Sequence, residues 1–160
     1  MDGVRSMSST NGAAGPPLLL VEDDRSQALL VERVLRKARL ANPLHVCENG
    51  DEAINYLAGE GAFADRERYP LPVVTLLDLH VPGKSGLEVL TWLRGQPSLA
   101  GLPVVMLSGS SESEDIDRAF ELGAQSYLVK PVAFDALVDA VSSLGLRWLL
   151  INADDGPRDA

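Results

Sequence analysis

The chain predicts an α/β fold, a parallel sheet of five strands covered by helices on both faces. Short continuous apolar runs recur along it, stretches with apolar residues at helical spacing separate them, and the two kinds alternate from Leu18 to Leu144. A short apolar run cut off by acid, Gly or Pro suits a strand buried on both faces. Strict alternation with amphipathic helices implies parallel crossovers, which place the helices outside the sheet.

Leu18 to Val21 is the first such run, ended by acid. From Arg25 to Leu40 the apolar positions Val31, Val34, Leu35 and Ala38 fall on one helical face, with Glu32, Arg33, Arg36 and Lys37 between them. Pro43 to Cys47 reads as the second strand, and an Asn49-Gly50 turn leads into a short helix around Asp51 to Ala58. Gly59 to Pro72 is polar, carrying Asp65, Arg66, Glu67 and Arg68, and reads as an extended loop or a lengthened helix end. Val73 to Leu77 is the third strand. Ser85 and Glu88 then have capping-box spacing before a helix striped by Leu87, Leu90 and Leu93. Val104 to Leu107 is the fourth strand. Ser111 and Glu114 suggest a second capping box for a helix closed by Gly123, whose core side is Ile116, Ala119 and Phe120. Tyr127 to Val129 makes the fifth strand, and Phe134, Leu137, Val138, Val141 and Leu144 mark a final helix.

With 160 residues the chain suits one domain, and no second folded module fits. The expected organisation is a flexible tail over 1–16, the folded domain over 17–148 and a C-terminal extension over 149–160. A net charge of −9 spread along the chain disfavours a nucleic-acid partner, because phosphate neutralisation needs clustered Lys and Arg. No apolar run approaches the ~18 residues of a membrane span, and the Ser/Gly/Asn-rich start lacks a signal core, so a cytoplasmic protein without a membrane partner is expected. The single cysteine, Cys47, reads as a buried spectator thiol.

In open α/β sheets the functional crevice lies beyond the carboxyl ends of the strands. There the sequence places Glu22-Asp23-Asp24, Asp78, Ser108 and Lys130-Pro131. Each has a plainer reading alone: Asp24 as a helix N-cap, Asp78 and Ser108 as turn residues, Lys130 as a solvated loop lysine. Together they bring carboxylates, a hydroxyl and an ammonium to one crevice. Clustered carboxylates repel unless one holds a proton or a cation intervenes, and all-oxygen ligands suit magnesium better than zinc. Such a site fits phosphoryl transfer, with Asp78 as the nucleophile that forms an acyl phosphate.

The blocks Leu19-Leu20-Val21-Glu22-Asp23-Asp24, Leu76-Leu77-Asp78-Leu79-His80-Val81-Pro82-Gly83, Val105-Met106-Leu107-Ser108-Gly109 and Tyr127-Leu128-Val129-Lys130-Pro131 resemble the signature motifs of bacterial response-regulator receiver domains. The likeness spans roughly Pro17 to Leu146. It implies a flavodoxin-like doubly wound sheet of order 2-1-3-4-5 with five helices. It further implies Asp78 as phosphoacceptor, and a magnesium ion held by Asp23, Asp78 and the His80 main-chain carbonyl, with Glu22 acting indirectly. Ser108 and Tyr127 resemble the switch residues, Lys130 the ammonium on the phosphoryl group, and Gly109 the small residue that keeps the site open. The Lys130-Pro131 bond is expected to be cis. His80 departs from a common Asn, which bears on the lifetime of the phosphoryl group. Ala133 stands where an N-cap Asp or Ser would help the last helix by about 1 kcal/mol. His80 reads equally as an exposed loop histidine, and Tyr127 as a static strand aromatic.

The resemblance implies a sensor histidine kinase as partner and output by protein contact or further phosphotransfer. The polar insertion before Leu71-Pro72 and the Arg147-Trp148-Leu149-Leu150-Ile151 segment narrow the likeness to single-domain regulators paired with bacteriophytochrome kinases. The apolar excess of that last segment suggests a homodimer; a tail folded back on its own domain is the alternative. Alternatives in function are a phosphate sink or relay intermediate, a magnesium-dependent phosphohydrolase, and a docking module that only looks like a receiver.

Overall fold

The computed structural model describes residues 16–142. In chain order the elements are β1 (Leu18–Val21), α1 (Arg25–Lys37), β2 (Leu44–Cys47), α2 (Gly50–Ala58), a 3-10 turn (Gly61–Phe63), β3 (Val74–Asp78), α3 (Gly86–Arg94), β4 (Val104–Ser108), α4 (Ser113–Glu121), β5 (Ser126–Val129) and α5 (Phe134–Ser142). The strands form one sheet in the order β2-β1-β3-β4-β5, and every neighbouring pair is parallel. This is the doubly wound order the sequence implies. The expected tail, Leu144 and the Arg147–Ile151 segment lie outside the described residues.

Side chains alternate along each strand, so the sheet has two apolar faces. Leu18, Leu20, Val74, Leu76, Val105 and Leu107 meet Val31 and Leu35 of α1 and Leu137 and Val141 of α5. Leu19, Val21, Leu77, Val104 and Met106 meet Tyr56 and Leu57 of α2, Leu90 and Leu93 of α3, and Ala119 of α4. The three central strands are buried throughout, as their unbroken apolar runs require, whereas β2 and β5 are only partly buried at the edges.

Several local expectations need correction. Asn49 makes no turn before α2; it caps the helix, its Oδ1 accepting the Glu52 amide at 2.7 Å, and Gly50 is the first helical residue. Asparagine is among the best N-caps because its short side chain satisfies a donor the helix leaves open. The Ser85–Glu88 capping box is present. The expected Ser111 box is not: α4 begins at Ser113 behind Glu112, with no side-chain cap. Ser110 does the turning instead, its Oγ accepting the Glu112 amide at 3.2 Å and donating to Asp115 Oδ2 at 2.6 Å. Phe120 is not a core residue but is 47% exposed, because Ala119 carries the helix contact and the sheet ends at β5. Helix α1 stops at Lys37, where Arg39 turns the chain through φ 67°.

The segment from Gly59 to Pro72 is a built structure, neither a plain loop nor a helix extension. Gly59 takes φ 71°, the left-handed conformation that ends α2 and that favours glycine. Phe63 and Tyr69 then close on Tyr56 and His45, with ring centroids 4.7 to 6.1 Å apart. Arg66 donates to the carbonyls of Tyr56 at 2.7 Å, Leu57 at 2.7 Å and Tyr69 at 2.9 Å, satisfying the C-terminal end of α2.

Candidate functional site

Each central strand delivers one polar group as it leaves the apolar core. Glu22 and Asp23 follow β1, Asp78 ends β3 and Ser108 ends β4. Parallel register places these ends side by side: Val21 lies opposite Leu77, and Asp78 opposite Leu107. One carboxylate oxygen from each of Glu22, Asp23 and Asp78 lies within 4.8 Å of the others. Glu22 and Asp78 are buried and Asp23 is exposed, so the cluster opens toward solvent through Asp23.

Lys130 closes the crevice from the β5 side. Its Nζ donates to Glu22 Oε1 at 2.5 Å and to Asp78 Oδ2 at 2.9 Å. The Lys130-Pro131 peptide is cis, as expected. Burial raises the Glu22 pKa above its ordinary value, and the Lys130 hydrogen bond does not reverse this. Burial alone would lower the Lys130 pKa, but its bonds to the two carboxylates outweigh that and hold the ammonium charged. Burial disfavours the charged form of this acid, and a cation in the crevice would offset that cost.

The backbone sets the rest. Asp78 Oδ1 accepts the His80 amide at 3.1 Å, while the His80 side chain is exposed. Gly86 opens α3 directly beneath: a Cβ there would collide with the Asp78 carbonyl oxygen, so only glycine lets the helix approach the strand end this closely. Asp24 is the N-cap of α1, accepting the Ser26 and Gln27 amides, and those backbone bonds hold its pKa below the usual value. It therefore stands outside the cluster. Ser108 is fully buried, and Gly109 leaves open space where a side chain would project. The Ala133 carbonyl accepts the Leu137 amide at 3.1 Å at the start of α5.

Sequence reasoning missed Ser110. Its amide donates to Ser108 Oγ at 3.0 Å, and its carbonyl accepts the Tyr127 hydroxyl at 3.0 Å, so one loop residue ties Ser108 to Tyr127. The Ser111–Glu114 spacing points to Ser111 as a cap, whereas α4 has no side-chain cap and the loop bonds are made by Ser110. Glu22 and Asp23 also line a groove of about 210 Å³ that runs along α1 past Leu29 and Glu32. Three carboxylates, one amine and one hydroxyl around an open crevice can hold a hard cation and an anionic group beside it.

Comparison with known proteins agrees with this chemistry. The family model described as response regulator receiver domain matches residues 18–142. The solved structure of the bacteriophytochrome response regulator RtBRR superposes with a TM-score of 0.77 at 42% identity, covering 86% of this chain and 82% of that one. Response regulator Rcp1 of Synechocystis sp. is 33% identical over 85% of this chain and 92% of its own length, and it has been solved in a Mn(2+)-bound form. The probable methanogenesis regulatory protein FilR2 of Methanothrix harundinacea is 33% identical over 88% of each chain. The matched segment holds the whole described sheet and the acidic crevice, and the chain belongs to the response regulator receiver family of two-component systems.

Proposed function

We propose that this receiver accepts a phosphoryl group from a sensor histidine kinase on Asp78 and signals by changing the surface around β4, α4 and β5. The observation that carries the reading is the Asp78 carboxylate, buried at a strand end, grouped with Glu22 and Asp23 and bridged to Lys130. In the transfer, an Asp78 oxygen attacks the phosphorus of a kinase phosphohistidine; the O–P bond forms as the P–N bond breaks, and the imidazole leaves with the electron pair.

The donor set fits magnesium: every ligand is oxygen, and three carboxylates, two of them buried, are grouped around one ammonium. Asp23, Asp78 and the His80 carbonyl would hold the ion directly and Glu22 indirectly, and when bound it supplies charge stabilisation for the phosphoryl oxygens. Lys130 sits within reach of the same oxygens and neutralises charge as it moves from donor to Asp78. Phosphorylation adds about two negative charges and strong acceptors beside Ser108. The Ser108 hydroxyl then turns to the phosphoryl group, the Ser110 amide loses its acceptor, and the loop that also holds Tyr127 is released to move inward.

The partner is a bacteriophytochrome-type kinase, a reading supported by the likeness to RtBRR and Rcp1. Exposed Leu29 and Leu30 on α1, beside the groove at Asp23, give such a partner an apolar footing next to the phosphoacceptor. Homodimerisation through the segment after α5 belongs to the same proposal, and light scattering at tens of micromolar should return twice the monomer mass. Acetyl phosphate with magnesium, or a phosphorylated kinase, should label the chain on Asp78. Retained labelling in Asp78→Asn would overturn the assignment, and turnover of small phosphate esters without labelling would favour a hydrolase.

A further inference from the structure

A second group of ligand-type side chains lies on the α2 side of the edge strand. His45 and Cys47 are two residues apart on β2 and share the face that carries Leu19 and Val21 of the neighbouring strand. Glu52 rises opposite them from the first turn of α2. One His45 ring nitrogen, the Cys47 sulfur and one Glu52 carboxylate oxygen lie within 4.8 Å of one another. The acidic crevice offers oxygen alone; this cluster offers one nitrogen, one sulfur and one oxygen. We propose that His45, Cys47 and Glu52 form a second cation site, for a borderline-soft divalent metal of the zinc type, with water completing the coordination.

Several independent features favour a bound cation. Among the described residues His45 Nε2 is buried without a hydrogen-bond partner, although buried polar atoms in folded proteins nearly always have one. Burial also lowers the His45 pKa and keeps the ring in the neutral form that ligates metals. Glu52 is held in place by the Glu48 amide, which donates to its Oε1 at 2.9 Å. The rings of Tyr56 and Phe63, with centroids 4.7 and 5.6 Å from that of His45, hold the imidazole in place. A purely aromatic role for His45 explains its burial, but not a buried unpartnered nitrogen on a ring grouped with a thiol and a carboxylate.

Cys47 is fully buried, and burial pushes its thiol pKa up, so without metal it keeps its proton. On binding, the S–H proton passes to solvent and the sulfur lone pair to the cation, with no change of oxidation state. The site would brace β2 against α2 beside the acidic crevice, because the Cys47 carbonyl accepts the Glu22 amide at 2.9 Å.

Cobalt(II) added to the full chain is the test. The chain has one cysteine, so a thiolate-to-cobalt charge-transfer band reports Cys47 alone, and magnesium cannot produce it. The expected result is a stoichiometric band that zinc displaces, that Cys47→Ser abolishes and that survives in Asp78→Asn. His45→Phe, which keeps a ring in the aromatic cluster, and Glu52→Gln should each weaken cobalt binding by about tenfold or more while circular dichroism shows both folded. The proposal is overturned by the absence of a band at millimolar cobalt, by unchanged affinity in either variant, or by loss of the band in Asp78→Asn, which would assign the ion to the acidic crevice.

Discussion

At the β2 edge of the sheet, the connection after α2 is locked by four rings packed tilted or edge-on and by three hydrogen bonds from one guanidinium. At the β5 edge, Phe120 is 47% and Val129 41% exposed, α4 starts without a side-chain cap, and the loop before it hangs on Ser110. The acidic crevice lies between these edges. One side is held by contacts that cannot be exchanged singly, while the other depends on a few hydrogen bonds that a new acceptor could replace. Local opening is cheapest where few apolar contacts must break, so a conformational signal from Asp78 should run toward β5 rather than β2.

Arg66→Ala should break the rigid side hardest. It removes the hydrogen bonds to two carbonyls at the end of α2, Tyr56 and Leu57, and to that of Tyr69 in the connection, and a loss of ~3 kcal/mol is expected in urea unfolding, by the scale of hydrogen bonds from charged donors. A loss within ~0.5 kcal/mol, the range of ordinary surface substitutions, would mean the insertion is no more rigid than the β5 edge.

Between the edges, the crevice should show its own pH dependence. Burial raises the Glu22 pKa above 4.5, so as pH falls Glu22 binds its proton before an exposed glutamate would. Cation affinity, followed by fluorescence or NMR titration, should therefore begin to fall above pH 4.5, and Glu22→Gln should flatten that part of the profile. In the metal-free protein the same raised pKa makes ionised Glu22 destabilising at neutral pH, an effect relieved as pH drops through its folded pKa. Lys130 behaves oppositely: its raised pKa gives stability fully present below pH 10.5 and lost as pH rises through its folded value.

Smaller effects belong to the β5 side. Tyr127→Phe removes one hydrogen bond to Ser110 and should lower stability by only ~1 kcal/mol or less, yet alter the β4–α4 loop shifts that phosphorylation produces in NMR spectra. Phe120→Ser should change stability by less than ~0.5 kcal/mol, because the ring is largely in water already. A larger loss would place Phe120 in a packed contact and weaken the contrast between the edges.

The central sheet was legible because each buried strand is a continuous apolar run and each functional group follows such a run directly. Glu22, Asp78, Ser108 and Lys130 needed only that rule and the strand order. The β2 edge was not legible in the same way. His45, Tyr56, Phe63 and Tyr69 meet through tertiary packing, follow no period, and sit among charges that suggested a solvated loop. Arg66 looked like one of those charges, although its donors are used on backbone carbonyls. Phe120 was misplaced by the opposite error: its helical spacing is right for a core face, but among the described residues no strand lies beyond β5 to receive it.

Lys130 has a wider consequence. Without its cation and with Glu22, Asp23 and Asp78 ionised, the crevice holds three carboxylates against the single ammonium of Lys130. An anionic phosphate donor that merely diffuses toward it meets repulsion from the mouth and from a chain of net charge −9. On the proposed function, a donor delivered by a docked protein has its approach driven by the contact surface, whereas a small anionic donor depends on a bound cation to offset the carboxylates, so cation loading sets which source of phosphoryl groups the crevice accepts.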